Sequence, residues 1–331
     1  MEEILLHTDN IETATAEIES VGGHVTLSFE DKLLVAKVPR EFVEKKNSFA
    51  SATAHISESA SPEIMTYVQA YWRARAKRTQ PPPPVQRWDE KGAPMVLPRE
   101  YFNIDERYPR ANTMTGKIAV ALVVISGPGD LEITQSEKDH VVSEVTSGLK
   151  FWTDEAGRDY YKLSFKLFAM HPTITAPDTG DPNVYADTFL DQDGYSTGLA
   201  GADDMADYFK KVGGADAAFI AFITKYSQGH FAFAIRGRGP IYMNYWNGSW
   251  GPNQIDRVFA HETGHVFHAH DEYTNCNCEK WIGYGICQTR NYNCITCSRP
   301  TPSEPRVPCI MDRNVFSVCR FTRSQIGWCD G

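Results

Sequence analysis

The sequence predicts a mixed α+β/α/β chain: a small open-faced sheet, then a larger mixed, twisted sheet with two long helices, then a cysteine-rich end. Three observations predict it. Strand and helix signals alternate as βαββαβ over the first 60 residues. After residue 115, β-branched apolar runs alternate with amphipathic helical stretches. All eight cysteines fall between Cys276 and Cys329.

Along the chain, Glu3–His7 is a short apolar run, and Asn10 caps a helix carrying Ile11, Ala14, Ala16 and Ile18 that Gly22-Gly23 stops. His24–Phe29 and Leu33–Val38 flank a turn at Glu30-Asp31, as a hairpin does. Pro39–Asn47 is a second short helix and Ser51–Ile56 a last strand. The stretch from Ala16 to Pro39, with Gly22-Gly23 and Val35-Ala36-Lys37-Val38-Pro39, resembles the inhibitor-type prodomains of secreted proteases such as subtilisins. The same pattern also fits any ferredoxin-like domain.

Ser61-Pro62-Glu63 opens a helix with Ile64, Val68 and Tyr71 on one side, ending in Arg73, Arg75, Lys77 and Arg78. Basic residues there favour the helix dipole, and Arg75-x-Lys77-Arg78 also reads as a processing site. Pro81–Pro84 is a stiff spacer. The domains expected are therefore 1–60, a helix and proline-rich linker over 61–114, and 115–331 with 276–331 as its cysteine-rich part. In the last of these, Lys117–Ser126 is a buried strand, Ser136–Ala156 a long helix, Tyr161–Met170 a strand, Asp204–Val212 a helix and Ala217–Ile223 a strand. Phe231–Ile235 and Ile241–Tyr245 form a hairpin around Gly237-Arg238-Gly239. Tyr242, Tyr245, Trp246 and Trp250 either line a cleft or pack beneath a helix.

A net charge of −9 argues against a nucleic-acid partner. No apolar run approaches the length of a membrane span. The acidic start, Met1-Glu2-Glu3-Ile4, lacks signal-peptide character. Eight cysteines in a short stretch nevertheless suggest four disulfides and a secreted or extracytoplasmic setting. Cys276-x-Cys278 and Cys294-x-x-Cys297 leave a zinc knot open.

The chemistry lies in a helix predicted over Asn253–Phe267, capped by Asn253, with Ile255, Val258, Phe259 and Val266 on its apolar face. It carries His261-Glu262-Thr263-Gly264-His265. Imidazoles four residues apart lie one turn apart and can share one Zn²⁺. Glu262 is then placed to act as general base on a water. A catalytic zinc takes three protein ligands, and the chain continues to Asp271.

This pattern, H-E-x-x-H followed six residues on by a ligand, resembles the metzincin metallopeptidases. The resemblance implies His261, His265 and Asp271 as zinc ligands and Glu262 as base. The family's glycine, which turns the chain after the helix, is His268 here; His268 is the second choice for third ligand, and His270 and Glu272 rank below it. Cys309-Ile310-Met311 resembles the Met-turn, and Phe316-Ser317-x-Cys319 the adamalysin branch. Arg313 stands where some branches have a tyrosine, so no tyrosine is assigned to assist the transition state, and Tyr273 is only a weak candidate.

The resemblance implies a zinc-dependent endopeptidase acting on protein or peptide substrates, made as a latent precursor whose own N-terminal region inhibits it. Asp89, Glu90, Asp105 and Glu106 are candidates to reach the metal. Two rivals are a non-catalytic zinc-stabilised binding protein and a hydrolase of non-peptide amides. Asp191-x-Asp193-Gly194 resembles part of a Ca²⁺ loop but lacks its remaining ligands, and an Asp/Gly turn is the favoured reading.

Overall fold

The computed structural model describes residues 1–30, 32–45, 62–79, 85–86, 88, 113–158, 161–273, 286–294 and 306–329. Eight strands form one mixed sheet: β1 (Glu2–His7), β2 (His24–Phe29), β3 (Leu33–Val38), β4 (Gly116–Ile125), β5 (Leu163–Met170), β6 (Ala217–Thr224), β7 (Ala232–Ala234) and β8 (Ile241–Asn244), in the order β1-β3-β2-β5-β4-β6-β8-β7. The central pairs β2–β5, β5–β4, β4–β6 and β6–β8 are parallel, and the edges are antiparallel hairpins.

The helices are α1 (Ile11–Ser20), α2 (Arg40–Lys45), α3 (Pro62–Thr79), α4 (Gln135–Arg158), α5 (Pro182–Gln192), α6 (Gly198–Gly213), α7 (Ile255–Val266) and α8 (Arg320–Gln325). Asn10 caps α1 as expected, its side chain accepting from Thr13 N–H. The region of the predicted strand Ser51–Ile56 lies outside the described residues.

The central strands are apolar on both faces because both faces are covered. In β4, Ile118, Val120, Leu122 and Val124 join a core with α3, α4, α7 and the C-terminal residues. Ala121, Val123 and Ile125 face α5 and α6 instead. Expected as a sheet of its own, the N-terminal hairpin pairs on through Leu27–Phe29 against Phe165–Leu167. Leu27, Phe29 and Val35 then enter the same core as β4. One continuous sheet removes the exposed edge that β5 would otherwise present.

Helix α3 is part of that core through Tyr67, Val68 and Tyr71. Its Lys77 is turned inward rather than offered for processing. The Nζ donates to Glu144 (2.6 and 2.7 Å) and to the Asn253 carbonyl (2.5 Å), and lies 3.1 Å from Asp256. Glu144 and Asp256 are buried. Burial first, then the charge of Asp256, pushes Glu144 up to about 8 against the pull of Lys77. Asp191, Asp193 and Gly194 form the C-terminal turn of α5, with Tyr195 N–H donating back to Leu190 and Gly194 at φ +83°.

Two outcomes are expected. Lys77→Met leaves two buried carboxylates without their cation and lowers stability by about 3 kcal/mol in urea unfolding. Glu144 also titrates higher folded than unfolded, so the folded state holds a proton that the unfolded chain has lost. The stability difference between wild type and Glu144→Gln therefore falls as pH rises from about 4.5 to about 8, and is flat above. A difference that rises over that window would contradict this account.

Candidate metal centre

Helix α7 lies wholly in the interior. The Trp152 indole of α4 donates to the Ala260 carbonyl (3.0 Å), anchoring α7 to the longest helix of the fold. Its N-cap is Gln254, without a side-chain capping bond, rather than the expected Asn253, which sits in a single 3₁₀ turn whose carbonyl is taken by Lys77.

His261 and His265 face one way, and the chain that leaves α7 brings back Asp271. The three ligand atoms form a nearly equilateral triangle. His261 Nε2 is 3.1 Å from His265 Nε2, and Asp271 Oδ1 is 3.1 and 3.2 Å from the two nitrogens. Ligand atoms about 2.05 Å from a tetrahedral ion lie about 3.3 Å apart, so the triangle has the size of one face of a zinc site.

The tautomers are set by the second contacts. His261 Nδ1 lies 2.9 Å from the Ile310 carbonyl, and His265 Nδ1 lies 2.8 Å from the Ala269 carbonyl. A carbonyl only accepts, so both Nδ1 atoms carry the hydrogen and both Nε2 lone pairs point into the triangle. With the Asp271 oxygen, three acceptors converge on one point. That arrangement attracts positive charge. Burial lowers the pKa of His265, but Asp271 outweighs it and raises it to about 9. Burial pushes Asp271 up, yet the two histidines hold it far below the usual carboxylate range. Asp271 is the ligand nearest solvent, its side chain 27% exposed against 3% and 9% for the histidines.

The turn after α7 explains how His268 replaces glycine. His268 N–H donates to His265 O and Ala269 N–H to Gly264 O, a Schellman closure that requires a left-handed residue at position 268. His268 takes it at φ +76°. Its ring packs over Gly237, where an added Cβ would come within 2.6 Å of the imidazole, so it stands outside the triangle. The same closure delivers the Ala269 carbonyl to His265. Gly264 is needed for packing: a Cβ there would meet Met311 Sδ at 2.7 Å. Met311 thus lies directly against the helix between the two histidines, in a tight turn closed by Asp312 and Arg313 N–H groups on the Cys309 carbonyl.

Glu262 is fully buried, and the Ala234 N–H of the edge strand is a backbone donor to its carboxylate. Burial raises its pKa, offset in part by His261 and His265. A fully buried carboxylate is costly, and such a cost is characteristic of reacting groups.

Sequence reasoning missed Trp88. Its indole donates to the Ile310 carbonyl (2.7 Å), the same oxygen that holds His261, and its ring centroid is 5.2 Å from the His261 ring. Gln86 and Asn314 exchange hydrogen bonds alongside. A lone tryptophan beyond a proline run carries no local signal for this. Tyr273 is buried, its ring 6.1 Å from that of His261. His270 contacts Arg236. Glu272 accepts from Asn291, Asn293 and Thr322. Tyr242, Tyr245 and Trp250 are packed in the interior, and Trp246 is exposed. Asp89, Glu90, Asp105 and Glu106 lie outside the described residues.

No family model, curated protein or solved structure matches the chain. The cysteines depart from the expected four disulfides. Cys287 and Cys329 are bonded with Cα atoms 5.6 Å apart, and Cys294 is disulfide-bonded as well, but Cys309 and Cys319 are buried free thiols.

The geometry separates the two candidates for third ligand. Asp271→Asn is expected to weaken Zn²⁺ binding by more than the ~100-fold that loss of an outer partner costs. His268→Gly, which suits the left-handed turn, is expected to leave affinity unchanged. Chelator competition measures both, and the opposite ranking would make His268 the ligand.

Proposed function

We propose that the chain is a zinc-dependent endopeptidase. The observation that carries this reading is the convergence of His261, His265 and Asp271 beside a fully buried Glu262. His261, His265 and Asp271 would hold a zinc ion, which when bound would supply Lewis acidity toward a carbonyl and a water. Glu262 accepts the proton of that water and returns it to the leaving amine nitrogen. Its raised pKa suits both halves of that transfer. His261 and His265 hold fixed orientations through the Ile310 and Ala269 carbonyls, so no reorganisation is needed when charge develops.

The edge strand supports a peptide rather than a small amide as substrate. Phe231 O accepts from Asn244 and Ile235 N–H donates to Pro240, so these residues face β8. By the antiparallel alternation, the backbone groups of Ala232 and Ala234 face away from β8 at the sheet edge beside α7, where Ala234 N–H meets the Glu262 carboxylate. An extended peptide adds to such an edge by main-chain hydrogen bonds.

The latent-precursor reading rests on Trp88, which brings the N-terminal region against a metal ligand. The strands β1–β3 and helix α3 share the main core, so in this proposal they stay with the enzyme and the inhibitory contact lies further along the chain. The bonded cysteines fit a secreted or extracytoplasmic setting.

Glu262→Gln is expected to lower the turnover of casein or a long peptide by about a thousandfold while zinc content stays at wild-type level. Undiminished turnover with zinc bound would defeat the mechanism.

A further inference from the structure

We propose that Glu272, Cys309 and Cys319, with the Thr322 hydroxyl, form a second metal site that takes a thiophilic divalent cation of the Zn²⁺ type. The donor atoms of Glu272, Cys309 and Cys319 all lie within 4.8 Å of one another, and all three residues are buried. Thr322 Oγ1 completes the group. It lies 2.9 Å from Glu272 Oε1, 3.3 Å from Cys309 Sγ and 3.6 Å from Cys319 Sγ, and Cys319 Sγ is 3.0 Å from the same Glu272 oxygen. Oxygen and sulfur ligands about 2.0 and 2.3 Å from a tetrahedral zinc lie about 3.3 to 3.8 Å apart. Four donors are thus gathered near the size of one coordination shell.

Two further observations point to a cation. The first is charge. Asn291 and Asn293 amides, the Thr322 hydroxyl and the Cys319 thiol donate to the buried Glu272 carboxylate, and every one of these groups is neutral. Among the described residues no cationic side chain reaches that carboxylate; Arg306 goes instead to the Glu272 backbone carbonyl and to Asp312. A buried carboxylate of this kind is stabilised by a metal. The second is the backbone. Cys319 N–H points to Cys309 Sγ at 3.4 Å and Thr322 N–H to Cys319 Sγ at 3.3 Å. Hydrogen bonds to sulfur stabilise ligating thiolates. On binding, each thiol releases its proton to solvent and gives a sulfur lone pair to the cation.

The position gives the site a role. Glu272 follows Asp271, and Cys309 precedes Ile310, whose carbonyl holds His261. A cation here ties together the two loops that complete the first triangle. The inference needs no peptidase activity.

The test uses the full chain with its disulfides intact, kept free of oxygen. Loaded with Co²⁺, it is expected to show a near-ultraviolet thiolate-to-cobalt charge-transfer band that the C309S and C319S variants lose. The His261, His265 and Asp271 triangle has no sulfur and is silent in this reading. Because a serine variant can fail to fold, wild-type crystals loaded with Zn²⁺ and measured at the zinc absorption edge give an independent reading. An anomalous peak between Cys309 Sγ and Cys319 Sγ is expected. A band that survives in the folded variants, the lack of such a peak, or a Cys309–Cys319 disulfide in the peptide map of the native protein overturns the proposal. A peak at the first triangle is scored separately, so either site can fail alone.

Discussion

Three lone pairs aimed at one another across 3.1 to 3.2 Å repel unless positive charge sits between them. The rest of the site is organised to hold that unfavourable arrangement in place. Two backbone carbonyls do the orienting, and each belongs to a segment that is itself tightly closed. Ala269 is delivered by the Schellman turn after α7, and Ile310 sits in the turn that places Met311 under Gly264. Neither histidine can rotate away without losing its Nδ1 partner in a buried setting, where an unmade hydrogen bond costs about 1–3 kcal/mol. Packing therefore holds the three groups where positive charge, a proton on His265 or a cation that replaces it, sits between them.

The scaffold contributes rigidity where precision is needed and loops where reach is needed. His261, Glu262 and His265 are carried on a helix wedged against α4 through Phe259, Trp152 and Gly148, where a Cβ on Gly148 would meet the Asp256 carbonyl at 2.7 Å. Asp271 and Met311 arrive on loops. Those loops are braced from behind by a polar network in which Glu272 collects Asn291, Asn293 and Thr322, and Arg306 bridges Glu272 to Asp312. A buried network of this kind is stabilising only when every member is satisfied, which accounts for the density of Asn, Thr and Arg beneath the His261, His265 and Asp271 triangle.

What was legible in the sequence was what has a local period. The β4 and β6 runs, the α4 heptad-like spacing of Val141, Val145, Leu149 and Trp152, and the i, i+4 histidines all express geometry within one element. The approach of Asp271 to the two histidines was suggested by the six-residue spacing after His265, and the turn between them is made by His268 in the left-handed region. The parallel pairing of β2 with β5 had no such signature, because it joins segments more than 130 residues apart through backbone groups. The Ile310 and Ala269 carbonyls were invisible for the same reason, since any residue type supplies a carbonyl. Cysteine parity misled. An even count says nothing about whether each sulfur has a partner in reach, and Cys309 and Cys319 sit in a nest of donors rather than at a bridge.

The two candidate sites are adjacent in the chain twice over, through Asp271-Glu272 and Cys309-Ile310. That double adjacency has a mechanical consequence. A rigid constraint on Glu272 and Cys309 fixes the entry and exit of both segments whose next residues contact the first triangle. One of those residues is the ligand closest to solvent, and the other orients the ligand most deeply buried. The metal triangle is thus held from α7 on one side and from the Glu272–Cys309–Cys319 group on the other. The open direction between them is the exposed side of Asp271, the member of the triangle nearest solvent.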